Sequence, residues 1–168
     1  MPGGNKEQAI KHFKAVVEPA ALEFLDPPNL GSVRHGYQAA IMLAHMAEHF
    51  FKAGLATSTA KTSSEFYQEL TRQNEAFCLI ADVCDAGKHV VLNVQIRTRE
   101  RAILGSASLR AGPQKANSSR RLNSRIRINQ NVVFVRFDRG PQAGQQRELD
   151  RPVREVLAFW RRELGLMV

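Results

Sequence analysis

The sequence predicts an α+β protein: an N-terminal three-helix bundle, then a small antiparallel β-sheet, then a C-terminal helix. Two observations carry this. Apolar residues recur at helical spacing up to Gly87 and at every second position after it, returning to helical spacing only near Pro152. Helices and strands are therefore segregated along the chain, which argues against a doubly wound parallel sheet. The 168 residues, 43% of them hydrophobic and 24% charged, suit a folded chain. A chain of this length buries roughly 70% of its unfolded surface and needs no disulfide or metal to fold.

The first helix is expected in NKEQAIKHFKAVVEPAALEFL, with Ile10, Phe13, Val17, Ala21 and Phe24 on its apolar face and Pro19 bending or breaking it. DPPNLGS at 26–32 is a stop and turn. Ser32 can N-cap a second helix that runs to Lys52 and ends at Gly54. Thr62-Ser-Ser-Glu65 has the form of a capping box and opens a third helix, expected to continue to Gly87 with Phe66, Leu70, Phe77 and Ile80 buried. HVVLNVQIRTRE then reads as one strand, and residues 105–119 as a loop with room for a short strand at Ala107–Arg110. SRIRINQNVVFVRFD reads as a hairpin turning at Gln130-Asn131. In that register Ile128 faces Val133 and Ile126 faces Val135 on one side, while Arg125 faces Arg136 and Arg127 faces Phe134 on the other. A loop with a short strand at its end follows, and Pro152 suits the first turn of a last helix burying Val153, Val156, Leu157 and Trp160. The expected division is a helical lobe over 1–93 and a basic sheet with the C-terminal helix over 94–168, packed together as one unit.

Charge is unevenly placed. Residues 1–93 carry 8 Lys/Arg against 10 Asp/Glu, whereas residues 94–168 carry 16 against 6, and fifteen of those sixteen are Arg. This implies an acidic partner for the second half, nucleic acid first, with Arg97, Arg99, Arg125, Arg127 and Arg136 on phosphates. The bland alternative is intramolecular pairing with the first half. There is no apolar run of membrane-spanning length and no secretory signal at the start. Cys78 and Cys84 lie on different faces of one expected helix, as two thiols in a reducing cytoplasm would.

One stretch invites a metal. His45-Met-Ala-Glu48-His49 places two imidazoles one helical turn apart, with a carboxylate beside them. Asp82 and Asp85 on the third helix would complete a bundle site if the two polar stripes faced each other. The same stripe begins at Arg34 and ends at Lys52, as a solvated face does, so no metal or other cofactor is expected. Lys88-His89 stands at a helix–strand junction. There the pair either meets the negative end of the helix dipole or acts as acid, base or phosphate contact, making His89, Glu48 and Lys88 the catalytic candidates.

The helix ending Ala81-Asp82…Ala86…Lys88-His89, the upstream Tyr37…Ala44…Glu48-His49-Phe50 and the late Val156-Leu157-Ala158-Phe159-Trp160 resemble bacterial proteins related to the HEPN helical bundles. The resemblance implies a helical bundle, frequent dimerisation, and ribonuclease or nucleotide-binding activity in many relatives. The ribonuclease motif is an Arg, four to six intervening residues, then a His. With His89 as that His, the Arg positions hold Asp82, Val83 and Cys84, and Asp85 stands where similar proteins often carry Asn. The motif is broken. The sequence thus leads to a cytoplasmic, non-catalytic binding protein that contacts nucleic acid or another acidic partner, with no membrane association. The alternative is a metal-dependent hydrolase or degenerate HEPN-type ribonuclease using His45, Glu48, His49, Asp82, Asp85 and His89. A third reading is an interaction protein dimerising through its helices.

Overall fold

The computed structural model describes residues 3–88, 95–96, 99–100, 106–113 and 131–166. Helices α1 (Gly3–His12), α2 (Glu18–Leu25), α3 (Val33–Lys52), α4 (Ser63–Gln73) and α5 (Glu75–Lys88) come first. The strands follow: β1 (Gln95–Ile96), β2 (Arg99–Glu100), β3 (Leu109–Pro113), β4 (Asn131–Arg136) and β5 (Gln146–Glu148). Helix α6 (Asp150–Glu163) ends the order. The α+β class is the expected one, with all described strands antiparallel and β4 at the centre of β3-β4-β5.

The first helix survives Pro19 by widening. Phe13–Val17 form a π-turn in which the Glu18 N–H donates to the Phe13 carbonyl. Proline lacks an N–H and its ring crowds the carbonyl four residues back, so a wider turn just ahead of it relieves the clash. Phe13, Val17, Ala21 and Phe24 all stay buried. Ser32 caps α3 by accepting from the His35 N–H at 3.3 Å. Gly54, at φ +68°, closes α3 while Leu55 N–H reaches back to the Phe50 carbonyl, a reversal that favours glycine. Thr62 Oγ1 accepts from Glu65 N–H at 3.1 Å, and the Glu65 carboxylate accepts from Lys61 N–H at 2.7 Å, one residue earlier than an ideal capping box.

The expected third helix is two. Asn74 leaves helical geometry at φ −133°, ψ 106°, and its Oδ1 accepts from the Phe77 N–H at 2.9 Å, so it ends α4 and caps α5. Nor does Gly87 stop α5, which runs to Lys88. Gly87 is a point of close approach: a Cβ there would lie 2.8 Å from a Tyr37 ring carbon.

Two strand pairings also differ. Gln95 pairs with Glu100 and Ile96 with Arg99, so the chain reverses where one continuous strand was expected. The hairpin turning at Gln130-Asn131 is replaced. Asn131 is already in β4 and opposes Pro113, Val133 opposes Ala111, and Val135 opposes Leu109. The other edge of β4 holds β5, with Val133 bonded to Leu30 and Leu149 through N–H···O contacts of 2.9 Å. Both edges of β4 are thus taken at Val133 and Val135, in place of the expected hairpin pairing; Ile126 and Ile128 lie among residues 114–130, outside the described ones.

One core draws on both halves of the sequence. Phe13, Phe24, Leu43 and Phe77 share it with Val133, Val135, Val153 and Trp160. Trp160 is fully buried, its indole N–H donating to the Leu43 carbonyl at 2.9 Å. Helix α3 meets its neighbours through Ala39, Ala40, Ala44 and Ala47, small residues that let backbones come close.

Candidate functional site

Alternation along β4 divides the sheet. Val133 and Val135 enter the main core, whereas Val132 and Phe134 pack with Leu30 in a separate cluster. Arg136 shares the side of Val132 and Phe134, and Arg110 on β3 lies directly opposite Phe134. Arg110 thus stands where Arg127 was expected, and Glu148 flanks Phe134 on the other side. Phe134 is only 7% exposed and lies over Gly112, so it packs and offers no stacking platform. Arg136 is half-exposed and donates to Asp138 Oδ1 at 3.2 Å; Asp138 also accepts from the Ser108 hydroxyl. Arg110 is exposed, its Nε donating to the Ala107 carbonyl at 3.3 Å. This outer face, turned away from the main core but covered by Leu30 at Val132 and Phe134, is where Arg110 and Arg136 reach solvent, and it is the described part of the expected basic surface. Arg99 falls in β2, and Arg97, Arg125 and Arg127 lie outside the described residues.

Part of the positive charge is used within the fold. Arg147 pairs with Glu75 at 2.8 Å and Arg161 with Glu18 at 2.7 Å, both linking the basic half to the acidic one. Arg151 and Arg154 pair with Glu155 and Asp150 along α6. Exposed Arg139 makes no hydrogen bond or ion pair among the described residues.

The polar stripe of α3 faces solvent. His45, Glu48 and His49 are all exposed, and Lys52 Nζ donates to Glu48 Oε1 at 2.6 Å. That bond first, and then the ammonium charge, hold the Glu48 carboxyl below its ordinary pKa. On α5, Asp82 is fully buried and Asp85 half-buried. The described residues contain no group of three or more His, Cys, Asp or Glu placed to share a metal ion. Lys88 ends α5, and His89 lies outside the described residues. What His49 does meet is His12 of α1, ring on ring, with centroids 3.8 Å apart and planes 22° from parallel. Desolvation, and then the neighbouring His49 charge, lower the His12 pKa. Sequence reasoning missed this pair, because only the docking of α1 on α3 brings the two together.

A cleft of about 310 Å³ opens between α5 and the turn after β4. Cys78, Leu79, Phe137 and Pro141 wall it, and Glu75, Arg139 and Arg147 border it. No described helix is long and apolar enough to cross a membrane. No family model, curated protein or solved structure matches the chain.

Proposed function

We propose that the chain is a binding protein whose basic half contacts a polyanion, with nucleic acid phosphates the first candidate, through Arg97, Arg99, Arg125, Arg127 and Arg136. Arg110 joins this set. The observation that carries the reading is the placement of Arg110 and Arg136 on one outer face of β3-β4, in a half of the chain with 16 Lys/Arg against 6 Asp/Glu. Contacts of this kind position a duplex or strand without reading its sequence. With Phe134 packed under Leu30, base stacking contributes little, so affinity is electrostatic and tolerant of sequence. The reading includes kinship with the HEPN-like bundles as a matter of fold. It assigns no ribonuclease step, since Asp82, Val83 and Cys84 occupy the motif's arginine positions.

The test is fluorescence anisotropy with labelled random-sequence DNA and RNA at low salt. Changing Arg110, Arg127 and Arg136 together to Gln should weaken binding to every sequence alike, by about tenfold or more, since each phosphate contact adds to a common electrostatic term. Binding that is absent, or that survives all three changes, overturns the reading.

A further inference from the structure

The cleft beside α5 lies on the other side of the sheet from the proposed polyanion face. Arg147 opposes core-facing Val135, whereas Arg110 and Arg136 line up with Phe134. Its walls come from elements far apart in sequence: Cys78 and Leu79 on α5, Phe137 just after β4, and Pro141 in the turn. The turn is held by Gly144 N–H donating to the Phe137 carbonyl at 2.8 Å and Phe137 N–H donating to the Gln145 carbonyl at 3.0 Å. Asp82 closes the inner end but is fully buried and engaged within the fold, so an occupant meets no open carboxylate there.

The charges at the mouth do not balance. The Glu75 carboxylate is bonded to Arg147, whose guanidinium also lies 5.6 Å from the centre of the Phe137 ring. That carboxylate also feels the nearby Arg151, so it is already engaged by two guanidinium groups. Arg139 is left as a guanidinium without a partner among the described residues, at the rim of a hollow whose walls are mostly apolar, with Gln142 and the buried Asp82 also lining it. A volume of about 310 Å³ is at the small end of ligand-binding clefts. We propose that this cleft binds a small aromatic monoanion, a flat one- or two-ring body carrying one carboxylate. The ring lies among Leu79, Phe137 and Pro141, and the carboxylate takes the fork of Arg139, whose planar donors match both of its oxygens.

The test uses the full chain, followed by amide NMR during titration with indole-3-carboxylate and with its uncharged carboxamide. Expected are saturable shifts confined to α5 and residues 137–147, with the carboxylate bound about tenfold more tightly than the amide, as one charge-assisted contact provides. Arg139→Gln, at an exposed position, should erase that preference, while Arg136→Gln should leave it intact. Cys78 gives a second readout, being partly exposed where Cys84 is buried: the carboxylate should slow alkylation of Cys78 by iodoacetamide. Cys78→Phe, which fills the hollow, should abolish binding of both compounds. Absence of saturable shifts, equal affinity for the two compounds, or a preference that survives Arg139→Gln overturns the proposal. Since the probe is not a nucleic acid, each of these outcomes stands apart from the fate of the polyanion reading.

Discussion

Replacing Trp160 with Phe tests the packing that joins the two halves of the sequence. The indole is fully buried, with ring centroids 5.4 Å from Phe50, 6.1 Å from Phe77 and 4.8 Å from Phe159. Its N–H donates to the Leu43 carbonyl in the middle of α3. Phe removes that hydrogen bond, worth about 1 kcal/mol net. It also removes part of the ring: the lost apolar transfer contributes about 1 kcal/mol, and the void left in a core that relaxes only partly about 1 kcal/mol more. The Leu43 carbonyl keeps its place in the helical ladder, so no further penalty for an orphaned acceptor arises. The sum is about 3 kcal/mol. With a urea slope of about 2 kcal/mol per molar, the midpoint followed by far-UV circular dichroism should fall by about 1.5 M at unchanged slope. Phe159→Leu, at a half-buried position, should cost less than about 1 kcal/mol. A Trp160→Phe loss below about 0.5 kcal/mol would refute the placement of this residue at the centre of the core.

Two further predictions follow from single contacts. Gly87→Ala adds a Cβ 2.8 Å from the Tyr37 ring, so the expected helix-propensity gain of about 1 kcal/mol is outweighed and the protein loses about 1 kcal/mol net in denaturant titration. In a Tyr37→Ala background the sign should reverse, and continued destabilisation there would show that Tyr37 is not the obstacle. The lowered His12 pKa sets a direction with pH: the unfolded chain binds its proton more readily, so stability is full above the ordinary imidazole range and falls as pH drops through it. The groups facing or beside this ring include His49, with Glu48, His45 and Lys52 on the same helix. Exchange of α1 amides, corrected for intrinsic rates, should therefore accelerate between pH 7.5 and 5.5, and His12→Gln should remove that dependence. Equal protection at both pH values would count against the stacked pair as an α1–α3 contact.

What could be read from the sequence was what neighbouring residues decide. Ser32 and Thr62 cap the helices they precede, and the apolar face Phe13–Val17–Ala21–Phe24 is buried, because both features are written within one or two turns of chain. The break at Asn74 was hidden by continuity: Leu70 and Phe77 keep helical phase across it, and one Asn is a weak signal against that pattern. The sheet departs from the expected hairpin for the opposite reason. The alternation over 124–137 pointed to a local hairpin, while β4 takes its partners from β3 and β5, and tertiary pairing is not carried by local period. The candidate residues divide along the same line. His45, Glu48 and His49 form an exposed stripe, as the flanking Arg34 and Lys52 foretold, whereas Arg110, His12 and the Arg139 cleft depend on which elements dock.

The measurement closest to the central claim is the salt dependence of binding to a labelled random duplex, from about 50 to 300 mM salt. With about six phosphate contacts, the logarithm of the association constant should fall linearly with the logarithm of salt concentration, with a slope of about −5. It should flatten by roughly 1 for each arginine of the outer face changed to Gln. No binding at the lowest salt, or binding indifferent to salt, would contradict the polyanion account.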